Sequence, residues 1–241
     1  MIDLDKLREQ IIRENYEIVM ERIEAAKAKR NAGGEVTLLA ATKTVPAEEI
    51  LFAIRELGLP AVGENKVQEF LSKYDDLRGT VPLHLIGHLQ TNKVKSIVGK
   101  VDMIQSVDSL RLANEIAKRS LEAGGTTKVL CEVNIGREEN KSGVLPEECG
   151  EFLAALSEVQ GIEVSGLMTM APVCETKDEY KKYFEKTYAI YLDFFSNKGH
   201  NKIESVLSMG MSDSFEAAIE EGAGMVRVGS SIFGARIYPT K

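Results

Sequence analysis

No apolar run in this chain approaches the roughly 18 residues that a membrane-spanning helix needs, so helical insertion into a bilayer is not expected. Nor is there a basic cluster: 30 basic residues against 37 acidic ones leave a formal charge of -7. Contact with a phosphate backbone needs grouped cations, and none are grouped here, which argues against a nucleic-acid partner. Cysteine is scarce as well. Cys131, Cys149 and Cys174 are odd in number and lack paired spacing, so reduced thiols and a cytoplasmic setting are expected. The opening MIDLDKLREQ is acidic and polar, unlike a secretory leader.

What is present is the material for one globular domain over residues 1–241, with 44% hydrophobic residues and no linker-like break in composition. Residues 3 to 31 read as a long amphipathic helix carrying Leu4, Leu7, Ile11, Ile18 and Ile23, stopped by Gly33-Gly34. Eight short apolar runs follow. They are TLLAATK (37–43), AVGENK (61–66), LHLIGH (83–88), DMIQSV (102–107), KVLCEVNI (128–135), VSGLMTM (164–170), SVLSMG (205–210) and MVRVGSSIF (225–233). Helical patterns separate them, such as PAEEILFAIRELG, with Pro46 in its first turn and Ile50, Ile54 and Leu57 on one face. Strands alternating with helices imply a parallel sheet, and eight of them fit a closed (β/α)8 TIM barrel over residues 35–236, preceded by a helical segment over 1–34. An open doubly wound sheet would place a glycine-rich turn after its first strand, where this chain has ATKTVP.

In such barrels the chemistry sits at the C-terminal ends of the strands. There the chain places Lys43, Asn65, His88, Asn134, Met170, Ser208 and the segment from Arg227 to Ser231. Strand alternation puts Lys43 on the face of Leu39 and Ala41, and Arg227 on the face of Met225 and Gly229. Both point into the barrel mouth, from strands that adjoin when the barrel closes. A desolvated lysine near a second cation is prepared to form a Schiff base with a carbonyl compound; alternatively Lys43 only snorkels to solvent. Loops after strands seven and eight recurrently bind phosphate, and SMGMSDSF and VGSSIFG supply Gly229 for close approach and Ser208, Ser230 and Ser231 as hydroxyl donors. The inferred ligand carries a carbonyl at one end and a phosphate at the other. Pyridoxal 5'-phosphate fits, and Arg227 would donate to its pyridine nitrogen, or else pair with Glu132 or another barrel carboxylate.

The blocks ATKTVPAEEI, GENKVQEF, HLIGHLQTNK, IQSVD, EVNIGREENKSG, GLMTM and LSMGMSDSFEAAIEEGAGMVRVGSSIFG together resemble the pyridoxal phosphate homeostasis protein family. The resemblance spans about residue 36 to 236. It implies a single barrel similar to the alanine racemase N-terminal domain, with an added N-terminal helix. It also implies a cofactor lysine at Lys43, a phosphate site at Ser208, Met209, Gly229 and Ser230, and Arg227 at the ring nitrogen. Asn65 and His88 fall near the cofactor by their motif positions.

The resemblance further implies a monomeric binder that buffers or delivers pyridoxal phosphate to apo enzymes, rather than an enzyme. The alternatives are an amino-acid racemase and a Schiff-base aldolase. Racemisation needs two acid–base groups on opposite faces of the α-carbon. Alanine racemases take the second from a further domain, and this chain ends soon after strand eight, leaving Tyr238 as an unsupported substitute. His84 and His88 sit four apart on a strand, a poor spacing for a metal, and no metal site is expected. The polar loop after strand five reads as a solvated surface at the barrel mouth, or else as the carrier of a second amine, Lys141, that could reach the cofactor's carbonyl.

Overall fold

A computed structural model describes residues 4–30, 34–196 and 205–234. The eight strands are β1 Thr37–Ala41, β2 Ala61–Glu64, β3 Leu83–Leu85, β4 Met103–Val107, β5 Thr127–Val133, β6 Ile162–Thr169, β7 Val206–Ser208 and β8 Met225–Val228. All neighbours pair in parallel and in chain order, and β8 returns to β1 with Leu39 opposite Arg227. The barrel is closed, as the count of eight implies.

The helices are α1 Leu4–Lys27, α2 Ala47–Leu57, α3 Val67–Leu77, α4 Val94–Ile97, α5 Leu110–Glu122, α6 Cys149–Ser157, α7 Lys177–Tyr191, α8 Phe215–Glu220 and α9 Ser230–Phe233. Among the described residues no helix is long and apolar enough to cross a membrane. Their boundaries follow local chemistry. Gly58, at φ 72, closes α2 in the left-handed region that glycine enters freely. Thr176 and Glu179 form a capping box at the start of α7. Seven of the eight expected strands run too far at their C-terminal ends: β1 stops before Lys43, β2 before Asn65, β3 before His88, β5 before Asn134, β6 before Met170, β7 before Met209, and Ser230–Phe233 is helical rather than extended. Asp3, Asn31, Gly33 and Tyr238 lie outside the described residues.

Side-chain alternation divides the core in two. Leu38, Ala40, Val62 and Val226 pack outward beneath the helices. Leu39, Ala61, Ile86 and Met225 form a separate inner cluster. Gly63 belongs to that inner face, because a Cβ there would meet Leu39 Cδ2 at 2.4 Å. Lining up small residues with branched ones is how a narrow barrel fills its axis.

The helix α1 corrects the expected apolar face. Its buried stripe is Ile12, Tyr16, Val19, Ile23 and Ala26, so of the expected face Ile23 is buried, whereas Leu7, Ile11 and Ile18 are exposed. At about 100° per residue the two stripes lie about a third of a turn apart. Ile12→Ala should therefore destabilise the fold by about 2–4 kcal/mol, and Ile11→Ala by under about 0.5 kcal/mol, in denaturant titrations.

Candidate functional site

Lys43 is placed by a buried polar knot just past the end of β1. The Thr42 N–H donates to Gly63 O at 3.0 Å, and Val45 N–H donates back to Thr42 O, also at 3.0 Å. The Thr42 hydroxyl donates to Glu64 Oε1 at 2.7 Å. Lys73 Nζ then bonds both Thr42 O at 2.8 Å and Glu64 Oε1 at 2.7 Å. Burial raises the Glu64 carboxyl above its usual range, and the bonds from Lys73 and Thr42 oppose that shift. Thr44 completes the turn with φ 65, a conformation that costs a non-glycine residue energy. The result is a fixed turn that delivers Lys43 to a cavity of about 600 Å³ at the C-terminal end of the barrel.

Arg227 lines the same cavity from deeper in the barrel, level with Leu39. It is 4% exposed. One terminal nitrogen donates to Ser208 Oγ and the other to Thr169 O, each at 2.7 Å. Ser208 passes the chain on to Gln105 Oε1 at 2.7 Å, and the Gln105 amide donates to His84 Nδ1 at 2.9 Å. Gln105 on β4 also reaches Met225 Sδ on β8 at 3.2 Å, a contact made only across the barrel interior. A polar line thus crosses the axis and fixes the guanidinium. Burial lowers Arg227 to about 10, with Glu132 opposing, so it stays a cation and a pure donor at neutral pH.

The alternative for Arg227, an ion pair with Glu132, is not formed among the described residues; the two interact through the field alone. Glu132 Oε2 is buried without a hydrogen-bond partner. Burial, reinforced by Asp108 and relieved by Arg227, lifts this carboxyl from 4.5 to about 7. The folded protein then keeps a proton that the unfolded chain has released, so this group's contribution to stability falls as pH rises from 4.5 through about 7. His84 has the opposite sign. Burial lowers it from 6.5 to about 4, and its contribution is lost as pH falls through that window. Glu132→Gln removes the first effect and keeps the second. Its stability relative to the parent should climb between about pH 5 and 8, by no more than about 3 kcal/mol.

The far wall of the cavity comes from the loops after β7 and β8, namely Met211, Ser212, Asp213, Gly229 and Ser230. Gly229 lies so close to β1 that a Cβ would meet Ala41 O at 2.5 Å. Ser230 Oγ donates to Ser212 Oγ at 3.1 Å, which brings two hydroxyls together. Two residues expected at a phosphate are elsewhere. The Ser208 hydroxyl is fully buried beneath Arg227, as just described. Met209 is buried under the helices, and its N–H donates to Met225 O at 3.1 Å. Ser212 is the serine of that loop that reaches the cavity. Strand parity carried the signal, because Ser208 pairs with Met225 and so shares the inward face of Arg227.

Asn65 and His88 do not line the cavity. Asn65 Oδ1 is buried without a partner. His88 is exposed and lies 3.0 Å from Ser142 Oγ, with Asp108 Oδ2 at 3.6 Å. Lys141 pairs with Glu138 in the loop after β5, and Asn134 braces that loop through Glu138 O and Lys141 O. Glu49 and Arg8, which no motif pointed to, complete the cavity rim.

Chemically, the site offers a primary amine at the mouth, a buried cationic donor below it, and paired hydroxyls beside a close-approach glycine. Those groups suit a ligand with a carbonyl, an acceptor ring atom and an anionic tail. A family model described as alanine racemase, N-terminal domain, matches residues 9–237. A protein of Aquifex aeolicus (strain VF5) named pyridoxal phosphate homeostasis protein is 43% identical over 222 residues, which is 91% of this chain and 96% of that one. The solved structure of PipY from Synechococcus elongatus PCC7942, with PLP bound, has a TM-score of 0.75 at 31% identity, covering 89% of this chain and 99% of that one. An alanine racemase of Clostridium difficile 630 has a TM-score of 0.70 at 18% identity and covers 94% of this chain but 58% of its own, a likeness of fold alone.

Proposed function

Because this chain belongs to the family of pyridoxal phosphate homeostasis proteins, we propose that it binds pyridoxal 5'-phosphate in the cavity between Lys43 and Ser230 and passes it on without turning over amino acids. The observation that carries this reading is the single cavity wall-to-wall arrangement of Lys43, Arg227, Gly229 and Ser230. Lys43 holds the cofactor's aldehyde carbon as a Schiff base. Arg227 donates to the ring nitrogen, using N–H groups beyond the two spent on Ser208 and Thr169. Ser212, Ser230 and the Gly229 backbone receive the phosphate. Ser208 acts through Arg227, and Asn65 and His88 border the mouth. When bound, the cofactor supplies an electron-withdrawing ring, and a donor that never releases its proton keeps that ring a weak electron sink. The protein works as one domain over residues 1–241, as a monomer in the cytoplasm, and its acceptors are apo enzymes that need the cofactor.

The racemase reading needs a second acid–base group facing Lys43. Among the described residues lining the cavity there is no tyrosine and no histidine. The carboxylates there are Glu49, held by Arg8 at 2.9 Å, and Asp213. The test mixes loaded protein with an apo enzyme and times the recovery of activity, beside an assay of α-proton exchange into deuterated water. Transfer with exchange no faster than for free cofactor is expected. Stereochemical turnover at ordinary enzymatic rates, abolished in Lys43→Ala, would make the protein a racemase.

A further inference from the structure

The helix α1 is not part of the barrel, yet it reaches the cofactor cavity. Arg8 Nε and one of its terminal nitrogens bond the two Glu49 oxygens at 3.0 and 2.9 Å, and the same terminal nitrogen bonds Phe233 O at 2.6 Å. One turn pair further on, Asn15 Nδ2 donates to Ile232 O at 3.0 Å. The last two carbonyls of the 229–233 segment are therefore both held by α1. Within that segment the N–H groups of Ile232 and Phe233 return to Gly229 O at 3.0 and 2.9 Å. Gly229 and Ser230 line the cavity, as do Arg8, Glu49 and Phe233. Glu49 belongs to α2, which starts right after the Lys43 turn. A single guanidinium thus ties the lysine side of the cavity to the serine side.

Resting on the function proposed above, we infer that Arg8 and Asn15 are positioning residues: they clasp the 229–233 segment to α1 and so set how long the cavity keeps its cofactor. A rigid cavity wall releases its ligand only when the wall opens, and the two side chains restrain the C-terminal end of that wall. Simple docking of α1 is already provided by the buried stripe from Ile12 to Ala26, so the polar contacts at Arg8 are not needed for it. Elsewhere on α1, Arg22 makes an equivalent two-pronged bond to Glu216 at 3.2 and 3.1 Å, away from the cavity. It is the natural control.

Two measurements test the inference. In protein free of cofactor, amide exchange at Ile232 and Phe233 reports the clasp directly. In protein loaded with pyridoxal phosphate, the rate of release is timed by trapping with an excess of apo enzyme. Arg8→Ala should speed both by about five- to tenfold, since one partly buried ion pair and one charged hydrogen bond are lost. Asn15→Ala should act in the same direction and more weakly, and Arg8→Lys should restore part of the loss. Arg22→Ala should change neither rate. Parent-like exchange and release in Arg8→Ala would overturn the clasp, and so would equal acceleration in Arg22→Ala. If the parent protein takes up no pyridoxal phosphate, the functional proposal and the residence-time role both fall, while exchange at Ile232 and Phe233 still decides whether Arg8 restrains the segment.

Discussion

Lys43→Ala should fold normally and lose its colour. The side chain lies at the cavity mouth beyond the end of β1, so its deletion opens little core volume and should cost within about 1 kcal/mol. Without the amine no covalent link to the aldehyde forms, and affinity should drop at least about tenfold. The loss has a thermodynamic signature. Cofactor at a hundred times its dissociation constant stabilises the parent by about 2.7 kcal/mol, and a tenfold weaker site recovers roughly half of that. Thermal unfolding with and without pyridoxal phosphate, followed beside the visible absorbance, checks both effects. Unchanged absorbance in the variant would show that another amine holds the cofactor.

A second large effect belongs to Arg227. Its guanidinium supports Ser208 and Thr169 and faces the raised carboxyl of Glu132. Arg227→Glu places a second buried acid beside Glu132 and leaves the Ser208–Gln105–His84 line without its first donor. Breaking a buried charged network by removing one partner typically costs about 3–5 kcal/mol, and a comparable destabilisation is expected here. Arg227→Gln keeps a donor and should be milder. In that milder variant the ring nitrogen loses its cationic partner, so the absorption of the bound cofactor should shift. Denaturant titration and a difference spectrum provide the two readouts. A parent-like spectrum at full occupancy would confine Arg227 to a structural role.

The barrel was legible in the sequence because a parallel strand buried on both faces leaves a local mark, a short apolar run between turn residues. All eight runs became strands in chain order. Their C-terminal ends were less legible. Nothing in TLLAATK announces that Glu64 and Lys73, more than 20 residues away, will capture Thr42 and turn the chain before Lys43. The face of α1 was ambiguous for a related reason. Leu7, Ile11 and Ile18 have as good a helical spacing as Ile12, Tyr16 and Val19, and only the barrel decides which stripe it covers. Motif positions pointed to Lys43, Arg227, Gly229 and Ser230, which all line the one cavity, while parity within β7 separates the inward Ser208 from Ser212 in the loop beyond it. Arg8 carried no local signal, because its partners lie 41 and 225 positions away.

Borohydride reduction of the loaded protein, followed by mass analysis of its peptides, tests most directly that this cavity is the cofactor site. Reduction converts the Schiff base into a stable secondary amine and so records which nitrogen held the aldehyde. The label should fall on Lys43 and disappear in Lys43→Ala. A label confined to Lys66, which is 72% exposed beside Glu69, or to Lys141 in the loop after β5, would contradict the site described here.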